Sequence, residues 1–474
     1  MASKKKDKKI SFGKYLGLFN LIVAIILMGL IYFVNLLPFN YFIVLGVLVL
    51  LFSLVIWLLL RNEGKFKHFL GSFWAIIGIV VGILGINYLL NTMDFLKQFG
   101  FKDYKSSVFA VVVLKNSDYN DINSLNNKVI GQIRTNNRED YSKALEKLNK
   151  SIDYRSKVSE DVQGLIENLQ AKKIDGFIVE KTNLDILKEE DEDAYNELKV
   201  IEEITVEVKT YILKRNTDIL KDSFNIYISG IDTYGAITKV SRSDVNIVAT
   251  VNPKTKKILL TNIPRDYYVK LHSFKEYDKL THAGIYGVDE SLLTLEDLLD
   301  TKISYYVKVN FSSLESIVDA IHGISVNLAY DFVSKDGYKF SKGVNELNGK
   351  EALSFVRERK AFKDGDRQRG KNQELVLTSI INKISSPAII ADYPSLLKSL
   401  DNKFMTNFTD GEITKFIKKQ ISTGSAWSIE SISLNGTDSY DYTYSYKRNK
   451  LYVMKPDSSS VTDAQERIKS VMAN

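Results

Sequence analysis

Three stretches of the chain, residues 16–34, 39–60 and 69–90, contain no charged side chain, and each approaches the roughly 20 residues that an α-helix needs to cross a bilayer. They predict three transmembrane helices within residues 16–92, because apolar runs of this length, packed so closely, do not suit the interior of a soluble fold. Beyond them the pattern changes to short apolar runs between charged segments. Runs at 108–114, 129–133, 177–179 and 200–208 predict strands, and amphipathic stretches at 144–148 and 162–169 predict helices, so residues 105–215 read as a small α/β accessory domain. A second domain spans 222–474. Its strands are predicted at 224–228, 245–251, 258–262, 305–309 and 325–328, with Asn252 and Pro253 marking a hairpin turn. Helices are predicted at 291–299, 314–321 and 375–384, and the tyrosine-rich residues 440–454 read as a late strand pair rather than a binding box. The expected fold is α/β, a central mixed sheet with helices on both faces.

Charge gives this layout a direction. Residues 1–68 hold nine lysines and arginines against two acids, Asp7 and Glu63, so the whole formal charge of +7 sits there. Lys4, Lys5, Lys6, Lys8, Lys9 and Lys14 precede the first span, and Arg61, Lys65 and Lys67 lie between the second and third, whereas the loop around Pro38 is uncharged. Short basic loops stay in the cytoplasm, so the N-terminal tail (1–15) is expected inside and everything after the third span outside the cytoplasmic membrane. No small-residue cleavage site follows the first span, which predicts a retained anchor rather than a cleaved signal peptide. The remaining chain is electrically balanced, which excludes the broad positive field of a non-specific nucleic-acid binder. The absence of cysteine fits an exported domain without disulfides.

Candidate chemistry gathers in four places, read as the ends of apolar strands, where an α/β sheet presents its ligands. Asp232 follows the 224–228 strand, and Asp244 ends Ser241-Arg242-Ser243-Asp244. Two approaching carboxylates repel, and a shared hard cation such as magnesium resolves the repulsion. Arg265 and Asp266 follow the 258–262 strand. Arg357, Glu358 and Arg359 follow an apolar run at 352–356, and in extended chain the two arginines would point one way and Glu358 the other. Two guanidinium forks match phosphate oxygens. A loop then carries Asp364, Asp366, Arg367, Arg369 and Gln373 into the last amphipathic helix. The acidic run 189–193 reads as a solvated loop, and His282 and His322 as structural residues.

These pieces, Ser229-Gly230-Ile231-Asp232, Ser241 to Asp244, Asn262-Ile263-Pro264-Arg265-Asp266, Lys279-Leu280-Thr281-His282-Ala283, Leu347 to Leu353, Phe355 to Arg359 and Asp366 to Gln373, resemble the LytR-CpsA-Psr family of cell-wall glycopolymer ligases over about residues 224–386. The three-span anchor and the preceding accessory domain look like its capsule-associated, CpsA-type members. The resemblance implies that Asp232 and Asp244 hold Mg2+, that Arg242, Arg265, Arg357, Arg359 and Arg369 with Gln373 surround the diphosphate of a polyprenyl-linked sugar, and that Asp244, Arg265, Arg357, Arg359 and Asp366 form the catalytic set. It also implies an apolar tunnel for the lipid, lined by 314–321 and 375–384. The implied reaction moves capsular polysaccharide phosphate from its polyprenyl-diphosphate carrier to peptidoglycan, with membrane proteins of capsule synthesis as further partners. The alternatives are cleavage of the same diphosphate by water and a non-enzymatic regulator or scaffold of capsule synthesis. One departure stands out: family members often carry Arg-x-x-Arg-Gln, but here Asn372 stands three residues after Arg369, which leaves Arg367 or Lys371 to make the missing contact.

Overall fold

A computed structural model describes residues 12–34, 37–61, 64–98, 104–134, 138–209, 215, 217–232, 236–363, 365–386 and 403–473. Lys4 to Lys9, Glu63, residues 210–214 and Asp364 lie outside them, as does the side chain of Asp366.

The N-terminal unit consists mainly of three helices, α1 (Phe12–Val34), α2 (Phe39–Arg61) and α3 (Lys65–Gln98), each long and apolar enough to cross a membrane. Small residues let α1 and α3 approach closely. A Cβ added at Gly78 would stand 2.2 Å from the Asn20 amide, and one at Gly82 would stand 2.4 Å from Val23. Buried Asn20 also donates to the Ala75 carbonyl at 3.3 Å. Small residues with a polar tie are how helices associate where lipid gives no hydrophobic drive.

The second unit holds two sheets in one packed body. The first is built from β1 (Tyr104–Leu114), β2 (Val129–Ile133), α4 (Glu139–Ser151), β3 (Arg155–Ser159), α5 (Val162–Gln170), β4 (Gly176–Glu180), α6 (Lys181–Glu190), α7 (Glu192–Asn196) and β5 (Leu198–Lys209), in strand order β3-β2-β4-β1-β5. The strands expected at 108–114, 129–133, 177–179 and 200–208 and the helices expected at 144–148 and 162–169 are present, whereas β3, α6 and α7 were not expected, and the acidic end differs. Residues 189–193 are not a solvated loop: Glu189 and Glu190 close α6, and Asp191 accepts from the Ala194 N–H to cap α7.

The second sheet begins with β6 (Phe224–Ile231), β7 (Ser243–Asn252) and β8 (Lys257–Asn262); β7 and β8 form the expected hairpin. There follow β9 (Tyr268–Lys270), β10 (Tyr277–Lys279), α8 (Leu280–Ala283), α9 (Val288–Leu299), β11 (Tyr305–Asn310), α10 (Phe311–Ala320), β12 (Ile324–Leu328), β13 (Phe332–Val333), β14 (Lys339–Phe340), β15 (Gly343–Leu347), α11 (Gly349–Arg357), α12 (Gly365–Ile384), β16 (Phe404–Thr406), α13 (Asp410–Thr423), β17 (Ser428–Ser433), β18 (Gly436–Thr443), β19 (Tyr446–Pro456) and α14 (Ser458–Ala473). The mixed six-stranded sheet runs β16-β11-β6-β7-β8-β17, with β11 parallel to β6 and β17 parallel to β8. One face buries Tyr227, Val248, Leu259 and Tyr306 against Leu295 of α9 and Ile468 of α14; α12 packs against β8 and β17. The strand at 325–328 pairs with β15 instead of joining this sheet, and 440–454 forms the β18–β19 hairpin. The two sheets share a core: Ile285, Tyr446 and Leu451 pack with Ala110, Leu165 and Phe177 of the accessory sheet.

Two local readings are corrected. Residues 352–356 are helix, not strand. Asn348 accepts from the Glu351 N–H while the Glu351 carboxylate accepts from the Asn348 N–H, a reciprocal cap that starts α11 and was legible as Asn-x-x-Glu. The segment carrying Asp366, Arg369 and Gln373 is not a loop but the first turns of α12. Its apolar periodicity begins only near Leu375, so the polar start hid the helix.

Candidate active site

Asp232 and Asp244 owe their positions to an irregularity. In the β6–β7 ladder Gly230 pairs with Val245 and Ile231 with Ser243, which leaves Asp244 as the extra residue of a bulge. Bulges re-aim a side chain beside a site. Gly230 is required here, since a Cβ would stand 2.7 Å from Val245. A buried polar network fixes the bulge from below: the Tyr227 hydroxyl donates to Asn246 Oδ1 at 2.7 Å, Asn246 Nδ2 donates to the Ser243 carbonyl at 2.9 Å, and the Ser229 and Ser243 hydroxyls meet at 2.8 Å.

Asp244 turns to Arg265, whose Nη1 donates to both carboxylate oxygens at 3.1 Å. The Thr281 hydroxyl donates to Asp244 Oδ1 at 3.2 Å, and its N–H donates to the Arg265 carbonyl at 2.8 Å, so α8 holds both partners. Burial pushes the Asp244 carboxyl up, but Arg265, Arg369 and Arg242 outweigh it and hold the carboxylate below its ordinary value. Asp232 opens to solvent and moves the other way: partial desolvation and then the Asp244 charge push it up, against the pull of Arg357, Arg242 and Arg369. Those couplings bring Asp232, Asp244, Arg242, Arg265, Arg357 and Arg369 into one electrostatic neighbourhood.

Arg357 ends α11 with its guanidinium 4.3 Å from the Phe311 ring centre. Glu358 is buried and accepts from the Lys335 and Ala361 N–H groups at 2.6 and 2.8 Å, while Arg357 and Arg359 stay exposed on either side. The alternation expected of a strand therefore holds at the end of a helix, where the chain becomes extended. Arg369 is buried and Gln373 half-buried, one turn apart on α12; Asp366 is the second residue of that helix. Arg367 leaves the site and reaches the Gly436 carbonyl and Asp438 at 3.2 and 3.4 Å. Buried Asn372 has a different task, donating to the Phe355 carbonyl at 3.2 Å and accepting from Gln368 at 3.1 Å, which ties α12 to the end of α11. His282 is buried against Asp278 and Ser445, both at 2.7 Å, in line with a structural role.

Two contributors were given no site role by the sequence reading, Thr281 and Glu189, and Asn372 was noted there only as a departure from the family motif. Glu189 forms ion pairs with Arg242 and, at 3.4 Å, with Arg265. Burial pushes its carboxyl up, but Arg242 and Arg265 hold it below its ordinary value. No local signal marks it, because its partners lie more than 50 residues away.

A divalent cation fits the donor chemistry only in part from the protein itself. Among the described residues no three His, Asp or Glu side chains gather as a metal cage. Two coupled carboxylates beside an anion site do suit magnesium, which takes few protein ligands and completes its shell with phosphate oxygens and water.

Several arginines around two carboxylates, at the end of the two central strands of a mixed sheet, make a locally cationic cleft whose chemistry suits an anion better than a neutral ligand. The model described as the LytR_cpsA_psr family matches residues 188–467, and the chain belongs to that family. It is similar to the polyisoprenyl-teichoic acid–peptidoglycan teichoic acid transferase TagU of Bacillus subtilis (strain 168), 34% identical over 250 residues that cover 52% of this chain and 78% of TagU. The corresponding transferase TagT of the same organism is 36% identical over 248 residues, covering 48% of this chain and 73% of TagT. Among solved structures, B. subtilis TagV aligns with a TM-score of 0.46 and 29% identity, over 53% of this chain and 98% of TagV.

Proposed function

We propose that the protein transfers a phosphate-linked glycopolymer from a polyprenyl-diphosphate carrier to peptidoglycan at the outer face of the cytoplasmic membrane. The observation that carries this reading is the surplus of arginines facing Asp232 and Asp244 in a chain of this family. In the reaction, a peptidoglycan hydroxyl attacks the phosphorus next to the glycan. Its P–O bond forms as the bond to polyprenyl phosphate breaks, the lipid phosphate leaves with the electron pair, and the hydroxyl proton is released. Such a transfer asks for in-line positioning and for neutralisation of charge on the phosphoryl oxygens, which Arg242, Arg265, Arg357, Arg359 and Arg369 supply. Gln373 adds a neutral donor. Asp366, at the second position of α12, belongs to the catalytic set that the family resemblance implies. Asp232 and Asp244 would hold Mg2+, which adds charge neutralisation at the same oxygens. Half-buried Leu314 and Ile317 on α10 and exposed Leu375 on α12 offer apolar surface to the prenyl chain.

The basic tail and the Arg61 to Lys67 loop support a cytoplasmic N-terminus and an external sheet unit. Capsular polysaccharide is the polymer we assign, since the accessory sheet and three-span anchor look like the capsule-associated branch; the curated relatives named above are teichoic acid transferases. The test is incubation of the purified chain with Mg2+, peptidoglycan and radiolabelled lipid-linked capsular or teichoic polymer. Wall-bound label from the capsular donor, lost on chelation and in Asp244→Ala, is the expected result. Label released only as free phosphorylated glycan would replace the ligase by a hydrolase, and a preference for the teichoic donor would correct the polymer.

A further inference from the structure

The acidic run 189–191 docks the accessory sheet onto the rim of the site through three successive acids. Glu190 pairs with Lys279 at 2.9 Å, and Asp191 pairs with Arg448 at 3.1 Å. Both are staples at the rim. Glu189 differs: its two carboxylate oxygens engage Arg242 and Arg265, which the transfer reading assigns to the diphosphate. Arg265 meanwhile gives Nη1 to Asp244 at 3.1 Å and holds Asp266 at 3.5 Å through Nε. Of these three contacts, that of Nη2 with Glu189 is the one made with a side chain from another sheet, and the Glu189 side chain remains 39% accessible.

We infer that Glu189 is a placeholder in the diphosphate site: a carboxylate supplied by the accessory sheet takes the guanidinium donors of Arg242 and Arg265 until the substrate's phosphate oxygens displace it. The inference rests on the transfer reading for the identity of the ligand. A carboxylate and a diphosphate compete for the same forks, and the displaced charge repels the incoming one at short range. The placeholder has two consequences. It keeps the arginines oriented and neutralised in the empty site, and it weakens retention of the leaving prenyl phosphate, so that the product escapes. The accessory sheet thereby sets affinity at a site whose other named residues all belong to the second sheet.

The test is calorimetric binding of farnesyl diphosphate with Mg2+ to the detergent-solubilised full chain. Glu189→Gln keeps the shape and removes the charge, and it should bind about tenfold more tightly than wild type, as loss of one competing negative charge implies. Glu190→Gln, which touches only Lys279, should bind as wild type does. A second readout needs no variant: in wild type, farnesyl diphosphate should raise hydrogen exchange of the last turn of α6. Unchanged or weaker binding by Glu189→Gln, with wild-type binding intact and no rise in exchange, overturns the placeholder and leaves the transfer reading standing. If wild type neither binds farnesyl diphosphate nor transfers polymer, both fall.

Discussion

Two of the clusters of arginine and carboxylate among the described residues differ in what surrounds them. In the accessory sheet Arg138 grips Asp140 with two nitrogens at 3.1 and 2.7 Å and Glu180 at 2.8 Å, both acids being almost fully buried, with the Ser107 hydroxyl donating to Asp140 at 3.0 Å. One cation lies between two anions, sealed by the Tyr286 ring at 5.8 Å. At the active site the same residue types stand in the opposite proportion. Arg242, Arg265, Arg357 and Arg369 act on Asp232 and Asp244, Asp232 opens to solvent, and Arg357 and Arg359 are exposed. A closed, buried cluster with more acids than arginines holds structure together and has no spare cation for an incoming anion. A cluster with surplus cations and an open side is ready to receive an anion. Composition is shared by the two, and stoichiometry and access separate them.

That contrast can be broken most easily at Arg138. Arg138→Ala strands two buried carboxylates and should cost about 3–5 kcal/mol of stability, read as a fall in the denaturation midpoint. A variant that stays folded but transfers poorly would make the accessory cluster functional and cancel the distinction. Arg265→Ala should do the reverse, lowering transfer by about 10²- to 10³-fold with a much smaller change in midpoint. Its unfolding would mark Arg265 as a structural arginine. Asn372→Ala leaves the Phe355 carbonyl and Gln368 without their partner and should cost about 1–3 kcal/mol in a urea titration, with some loss of transfer as α11 loosens. No effect on either would show that the tie to α11 is dispensable. The smallest effect is on pH. Asp244 titrates below its ordinary value in the folded chain, so its contribution to stability is fully present above the unfolded value of about 3.9 and is lost as pH falls through the lower folded value. Wild type should therefore lose stability more steeply than Asp244→Asn below about pH 4; parallel curves would mean that the arginines do not hold Asp244 charged.

The three apolar helices, the β7–β8 hairpin and most elements of both sheets were readable in advance, because they rest on local periodicity and turn chemistry. The misreadings fell where local pattern and fold part company. Residues 352–356 form too short a run to separate strand from helix, and the cap at Asn348 and Glu351 was the deciding clue. The start of α12 is polar and carries no apolar stripe, so periodicity did not mark it as helix. Asn372, read only as a departure from the family motif, ties α12 to the Phe355 carbonyl of α11. The acids at 189–193 were read as solvated because consecutive acids do not converge on one site and their arginine partners lie far away in the chain.

Residue identity and short-range order were enough to establish the membrane helices, the alternation of strands and helices, and which acids and arginines could meet an anion. Those depend on hydrophobic period and side-chain chemistry, which each segment carries with it. Which arginines are locked and which are open, that a bulge turns Asp244 toward Arg265, and that an accessory helix sends Glu189 into the site were settled by contacts between residues far apart in the chain. A carboxylate has the same formula in a closed, buried cluster and at an open cleft, and only packing in three dimensions sets its neighbours, its solvent and so its role.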